Sequence, residues 1–555
     1  MSSALSEIGE DYFAARMADR PLHATVYGIP GHDARVPDPS READARMVGV
    51  LRDLEDRLAG VDESSLDAPD RLTRRVLAAA LRDKRDIRGS VAGDVAVSAT
   101  VMGAFSGLLA TVPAANLHSE QAALDYQERL RGLEGFFEAL GRRHLAAAAD
   151  GLFPTATGAR QLCEQIDGYL SKPVDADPFL RPQPPESVDA ETWRAKTASV
   201  LNDRLRPALA RYRDLLAAEV APHGRDDDHV GICHVDGGPR AYQTAVRVET
   251  TTDLTPETLH RTGLELIAEL RAEFAERGGR VLGVSDVPEV LRRLREDPKL
   301  RFGASGEIVD TVSRALRAAQ EALPDWFRRY DIAECVVREM DPAEAENGVL
   351  AYYLPPAADG GRPGTHVVNS YRPDTRTRFE YEALAFHESV PGHHLQIAVA
   401  QSLKDLPQFR RFEMCTAYTE GWGLYSERLS DEMGLYSDEL SRLGMVSFDA
   451  WRASRLVVDT GMHHHGWSRR QAIDYMRDNT ALSTPNIVNE VDRYIAAPGQ
   501  ALAYMTGRLK IQRLRERSRA ALGPDFDIRR FHDAVLGNGS LPLDVLDDLV
   551  ADSSL

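Results

Sequence analysis

Apolar residues recur at helical spacing through the first part of the chain. Met47, Val50, Leu51 and Leu54, and then Leu72, Val76, Leu77 and Leu81, stand three or four positions apart, which places each set on one face of a helix. The residues between them are rich in Ala, Arg and Glu, good helix formers, so residues 40–220 predict a helical lobe. The Pro-rich passage from Lys172 to Pro185 reads as a surface loop between helices. The Asp226-Asp227-Asp228 run reads as a solvated loop rather than a cation site, and Leu254-Thr255-Pro256-Glu257 reads as a capped helix start. Past Pro324-Asp325-Trp326 the pattern changes to β-type runs, Cys335–Glu339 and Thr365–Asn369, separated by Gly360-Gly361-Arg362-Pro363-Gly364. The expected architecture is a mainly α-helical chain with a small sheet, divided into a helical N-terminal lobe (1–250) and a second lobe (251–555) packed together as one unit.

The second lobe holds the most informative segment, Phe386-His387-Glu388-Ser389-Val390-Pro391-Gly392-His393-His394-Leu395-Gln396. A neutral imidazole suits zinc, and a neighbouring carboxylate can take a proton from water whose pKa the metal lowers to about 7. The usual form of such a motif is H-E-x-x-H, with both imidazoles on one helix face. Here position i+4 is Pro391, and the next histidines fall at i+6 and i+7. An unbroken helix would leave His393 on a side face and His394 about 10 Å further along the axis. Pro391 and Gly392 predict a widened turn that returns a later His toward His387. Other metallopeptidases extend the motif to H-E-x-G-H or H-E-x-x-G-H, and Gly392-His393 matches that ending. His393 is therefore the preferred second ligand, with His394 close behind.

A third ligand is expected from Thr416-Ala417-Tyr418-Thr419-Glu420-Gly421-Trp422-Gly423-Leu424-Tyr425-Ser426-Glu427, whose aromatic residues suit a buried helix. Glu420 is the better placed, with Glu427 two turns later as an orienting partner for a ligand. Hydrolysis of an amide also needs a donor for the oxyanion. His463 is the first candidate, with His464 and His465 as incidental neighbours, and Tyr494 and Tyr504 are the alternatives. Arg452, Arg455 and Arg493 offer bidentate grips for a substrate carboxylate, which would favour carboxypeptidase or dipeptidase action. The stretch from His366 to Ser370 is a candidate edge strand for aligning extended substrate.

Composition narrows the classes. The chain has 555 residues, 43% of them hydrophobic, enough for a large core. A net charge of −19 opposes nucleic acid as a general partner. Four cysteines, Cys163, Cys233, Cys335 and Cys415, form no C-x-x-C pair, which argues against a disulfide framework or a cysteine zinc site. The N-terminal residues lack a basic region followed by an apolar run, and no stretch approaches the ~20 apolar residues of a membrane span. Cytoplasmic residence and no membrane partner are expected.

The strings H-E-S-V-P-G-H-H-L-Q, T-E-G-W-G-L-Y-S-E, W-R-A-S-R-L-V-V-D-T-G-M-H, R-Y-I-A-A-P-G-Q-A-L-A-Y and F-H-D-A-V-L-G-N-G-S-L-P-L resemble the bacterial "domain of unknown function 885" family over most of the chain. The resemblance implies a mainly helical, two-lobed, zinc-peptidase-like (gluzincin-type) protein, distantly similar to oligopeptidases, carboxypeptidases and angiotensin-converting enzyme, with no settled substrate. The resulting expectation is one Zn2+ per chain, with Mn2+ or Co2+ as substitutes, held by His387, His393 (or His394) and Glu420, while Glu388 activates water and later protonates the leaving amine. Short peptides or amino-acid conjugates are the expected substrates. The alternatives are a metal-dependent biosynthetic enzyme performing non-peptide C–N cleavage or elimination on a small modified amino acid, and a catalytically silent binding protein on a peptidase scaffold.

Overall fold

A computed structural model describes residues 3–340, 345, 349–357 and 360–552. Helix accounts for 71% of the structure, alongside one small three-stranded sheet. Among the first helices are α1 (Ser3–Asp19), α2 (Arg41–Ala59) and α3 (Ala68–Arg88). Side-chain caps start the latter two: the Ser40 hydroxyl accepts from the Ala43 amide at 3.1 Å, and the Asp67 carboxylate accepts from the Asp70 amide at 2.8 Å. The apolar stripes read from the sequence become their inner faces, with Leu51, Leu54, Val76, Leu77 and Leu81 buried. Val50 is the exception at 42% exposed, because it lies on the flank of the stripe.

The three largest apolar interiors among the described residues organise most of the helices. One is formed within residues 22–220, where the long helix α4 (Glu120–Ala149) supplies Tyr126, Leu130, Leu133 and Phe137. Another joins distant parts of the chain: Leu5, Ile8 and Tyr12 of α1 and Leu81 of α3 share it with Phe386, Leu395, Trp422 and Ile511. The N-terminal helices thus pack directly around the motif region. The third surrounds α5 (Pro256–Leu282), which starts at the expected Thr255 cap, with the hydroxyl accepting from the Thr258 amide at 3.2 Å.

The sheet contains β1 (Cys335–Glu339), β2 (Ala351–Leu354) and β3 (Gly364–Val368) in the order β1-β3-β2, with β3 parallel to β1 and antiparallel to β2. The expected edge at His366–Ser370 is corrected here, because β3 is the central strand, paired on both sides and buried along its length. The outer strand that reaches the motif region is β2, a run of four residues just ahead of Pro355-Pro356, too short and too irregular in polarity to announce itself in the sequence. The Lys172–Pro185 passage is a loop with two short 3-10 turns, and Asp226 bonds His229 at 2.7 Å in an exposed loop. Among the described residues no helix is long and apolar enough to cross a membrane.

Five further helices frame the motif: α6 (Tyr381–Glu388), α7 (His393–Ser402), α8 (Thr416–Glu432), α9 (Glu439–His463) and, after α10 (Thr484–Ala496), α11 (Ala503–Leu522). Helices α8 and α11 touch backbone to backbone. A Cβ on Gly421 would lie 2.4 Å from the Gly507 Cα, and one on Gly507 would lie 1.8 Å from the Ala417 oxygen, so only glycine permits this approach. That contact sets where Glu420, beside Gly421, stands relative to the rest of the cleft.

Candidate metal centre

The break between α6 and α7 solves the spacing problem of the motif. Helix α6 stops at Glu388, the chain turns through a cis Val390–Pro391 bond, and α7 starts at His393. The His394 amide donates to the Ser389 oxygen at 3.0 Å, and the Pro391 carbonyl accepts from Trp422 Nε1 at 2.9 Å and from Ser426 Oγ at 3.3 Å. The turn is thereby fixed to α8. Gly392 is required, since a Cβ there would sit 2.0 Å from the His387 oxygen. The result brings the His393 ring to 4.5 Å from the His387 ring, centroid to centroid.

Three donor atoms then converge. Glu420 Oε2 lies 3.6 Å from His387 Nε2 and 3.4 Å from His393 Nε2. Zinc bonds of about 2.1 Å at tetrahedral angles separate ligand atoms by about 3.4 Å, so these residues fit the ion in spacing and in chemistry. On its other side His387 Nδ1 lies 2.8 Å from Glu427 Oε1, which fixes Nδ1 as the proton-bearing nitrogen and leaves the Nε2 lone pair facing Glu420. The ring also rests on Gly423, where a Cβ would approach it to 2.7 Å. In the absence of a cation, burial opposes a charged His387, but the neighbouring Glu420 and Glu427 carboxylates outweigh it and lift its pKa to about 9. Burial likewise opposes a charged Glu420, yet the adjacent His387 and His393 rings hold it well below the usual carboxylate range. Glu388, the last residue of α6, is pushed up by burial against the opposing pull of the two histidines.

Three residues singled out from the sequence stand elsewhere. His394 is not part of the cluster: its Nδ1 meets the Tyr353 hydroxyl at 2.8 Å and its Nε2 meets the Ala333 oxygen at 2.8 Å, so both ring nitrogens tie α7 to the sheet side. His463 is not an oxyanion donor. It is buried at the end of α9, its Nδ1 accepts from the Ile232 amide at 3.0 Å, and its Nε2 meets the Tyr494 oxygen at 3.0 Å. Burial pulls its pKa down to about 4, so the ring is neutral. Tyr494 does not face substrate either; its hydroxyl donates to Glu490 at 2.6 Å and accepts from Arg455 Nε at 2.8 Å and Trp451 Nε1 at 3.0 Å.

The other expected residues line one cavity of about 490 Å3 together with the cluster: Glu388, Tyr504, Arg452, Arg455 and Arg493. The volume falls within the range of small-ligand sites. The Tyr504 ring lies nearly parallel to that of His387, 6.3 Å away, and the Arg455 guanidinium sits 4.3 Å from the Tyr504 ring centre. Trp451 is flanked by Arg452 at 4.3 Å and Arg455 at 4.5 Å. Arg455 and Arg493 share Glu490, at 2.9 and 3.3 Å, and Arg452 lies 3.8 Å from Glu427. Nitrogens of all three guanidiniums are buried without a hydrogen-bond partner among the described residues: Nε and Nη1 of Arg452, Nη1 of Arg455 and Nε of Arg493. Trp451, Glu490, Asn489 and the β2 residues Tyr352 and Tyr353 also line or support the cavity, and sequence reasoning misses them. Glu490 carries a signal, being three residues ahead of Arg493 on one helix; β2 carries none.

The chain belongs to the family described as "Bacterial protein of unknown function (DUF885)", whose model matches residues 21–550. No curated protein matches it. Two of the solved structures that resemble it do so along nearly their whole length, each named a "putative lipoprotein". That from Colwellia psychrerythraea is 26% identical, with a TM-score of 0.90 and 99% of each chain covered. That from Shewanella oneidensis, of unknown function, is 16% identical, with a TM-score of 0.73, covering 99% of this chain and 100% of its own, and is similar in fold alone.

Proposed function

We propose that this member of the DUF885 family is a zinc-dependent hydrolase that cleaves amide bonds of short peptides or amino-acid conjugates. One observation carries the reading: Nε2 of His387, Nε2 of His393 and Oε2 of Glu420 converge at ion-binding separations beside Glu388 in a ligand-sized cavity. His387, His393 and Glu420 would hold the ion, which when bound supplies a Lewis acid that polarises a carbonyl and lowers the pKa of water. In this reading the remaining roles fall to the chain itself. Glu388 takes one proton from the attacking water as the water oxygen bonds to the carbonyl carbon, and delivers it to the nitrogen as the C–N bond breaks. The Tyr504 hydroxyl, on the cavity wall beside His387, is the donor for the oxyanion, the role expected of His463 or one of the tyrosines.

The unpartnered guanidinium nitrogens of Arg452, Arg455 and Arg493 favour a substrate with a free carboxylate, as in dipeptides or N-acyl amino acids. Tyr352, Tyr353 and Leu354 of the outer strand line the same cavity, where an extended substrate would lie alongside them. A two-lobed zinc-peptidase architecture and cytoplasmic residence belong to this proposal, and recovery of the protein from the membrane fraction of its host would overturn the latter.

Metal analysis by mass spectrometry on protein purified without added metal tests the base of the reading. Zinc held in the cavity and lost in His387→Ala, His393→Ala and Glu420→Ala is expected, followed by cleavage of carboxylate-bearing peptides that Glu388→Gln lacks. Loss of no metal in any of the three variants would overturn it.

A further inference from the structure

Helix α9 runs out at His463, and the two residues that follow leave its end as a pair. The amides of His464 and His465 both donate to the Thr460 oxygen, at 2.9 and 3.1 Å, and their rings lie 4.8 Å apart. Facing them is the first turn of α5, where Glu257 follows the Thr255 cap by two positions. Glu257 Oε2 lies 3.4 Å from His465 Nε2, and one ligand atom from each of Glu257, His464 and His465 lies within 4.8 Å of the other two.

The surroundings hold these groups in place. His260, one turn further along α5, packs edge-on against His465 at 4.6 Å and Trp467 at 5.5 Å, and its Nδ1 meets Thr460 Oγ1 at 2.8 Å. A Cβ on Gly466 would come 3.4 Å from His234 Nε2, and His229 packs 4.9 Å from His234. Five of the sixteen histidines of the chain therefore gather around one turn. Here two consecutive imidazoles and a carboxylate from a second helix meet.

We infer that Glu257, His464 and His465 form a second, surface site for a divalent cation of the zinc class, tying the start of α5 to the end of α9. Two imidazoles with one carboxylate select zinc, nickel, copper or cobalt over magnesium or calcium, which take oxygen-rich sites. The 3.4 Å separation between Glu257 and His465 matches the edge of about 3.4 Å expected between zinc ligands. The negative end of the α9 dipole adds to the attraction for a cation. None of the three residues lines the cavity of the first cluster, so the site acts on architecture: α9 carries Arg452 and Arg455, and a metal tie at its end would hold that cavity wall against α5.

The His387→Ala/His393→Ala variant removes the first cluster, and zinc titrated into it by calorimetry should still bind at about one ion per chain. Adding His464→Ala and His465→Ala should abolish that binding, and with it the rise in melting temperature that zinc produces. Failure of the first variant to bind zinc, or binding unchanged after loss of His464 and His465, would overturn the inference. If the first variant does not fold, the wild type serves: His464→Ala/His465→Ala should lower the zinc content by one ion per chain, and unchanged content would overturn the inference. Zinc lost only through the His387, His393 and Glu420 substitutions would leave the proposed catalytic centre standing and remove this site alone.

Discussion

His387 and Glu427 meet at 2.8 Å with the carboxylate fully buried, and that bond decides which face of the imidazole is left for a metal. Partners of this kind orient a metal ligand and raise its basicity. Glu427→Gln keeps an oxygen acceptor but loses the charge, so zinc affinity measured by competition with a chromophoric chelator should fall roughly 10–100-fold. Arg452, 3.8 Å from the same carboxylate, loses its ion pair in this variant. Unchanged affinity would mean that Glu427 is packing and nothing more.

Among the described residues, Glu388 is the cavity carboxylate next to the cluster that is not spent on holding it. Glu388→Gln should therefore retain zinc at wild-type content while amide hydrolysis falls by about 10²–10⁴-fold. Metal content and turnover measured on the same preparation separate the two effects. A variant that loses its zinc would make Glu388 a ligand, and one that keeps full activity would remove it from the mechanism.

The paired histidines should separate in the same way. His393→Ala is expected to empty the cavity of metal, whereas His394→Ala should keep the metal and lose stability, because the Tyr353 hydroxyl and Ala333 oxygen forfeit their partner. Unmaking such buried bonds costs about 1–3 kcal/mol, readable by chemical denaturation. Reversal of the two phenotypes would contradict the geometry around the α6–α7 break.

Local patterns in the sequence carry much of this architecture. The helical class, the Thr255 cap, the strand at Cys335–Glu339, most of the strand expected at Thr365–Asn369, and the grouping of His387, His393 and Glu420 all follow from apolar period, capping chemistry, and a Pro-Gly pair that interrupts one helix and starts another. Long-range contacts decide the rest. His463 reads as a donor because it ends a polar string, but Ile232, more than two hundred residues earlier, donates to its ring. Tyr494 is absorbed by Arg455, Trp451 and Glu490. The order of strands is not encoded in any one of them, so the central strand, read alone, passes for an edge.

Arg452 offers the sharpest test of substrate chemistry. Its Nε and Nη1 atoms are buried without partners among the described residues, and its guanidinium is held between Phe448 at 4.4 Å and Trp451 at 4.3 Å. Arg452→Leu should raise KM for carboxylate-bearing peptides about 10–100-fold, the loss expected of a charge-assisted bond worth about 1.5–3 kcal/mol. The same peptides capped as amides should be indifferent to the change. Equal losses for acid and amide would make Arg452 a support for Glu427 instead.

Asp459 links pH to the stability of the cavity wall. It is fully buried on α9, accepts from the Tyr242 hydroxyl at 2.6 Å and from the Gly499 amide at 3.2 Å, and burial pushes its pKa up to about 7 despite both bonds. The unfolded chain releases this proton near pH 4. Between those values the folded protein holds a proton that the unfolded one has lost, so stability falls as pH rises through the window, at up to about 1.4 kcal/mol per pH unit. The contribution is fully present below pH 4 and gone above about 7. Asp459→Asn keeps an oxygen for Tyr242 and Gly499 and has no proton to release, so its stability curve should be flatter. Denaturation of both proteins from pH 5 to 8 should show the variant gaining on the wild type as pH rises. Parallel curves would mean that Asp459 is ionised in the fold throughout that range, and the link between Tyr242, α9 and the Gly499 turn would then rest on a charged carboxylate.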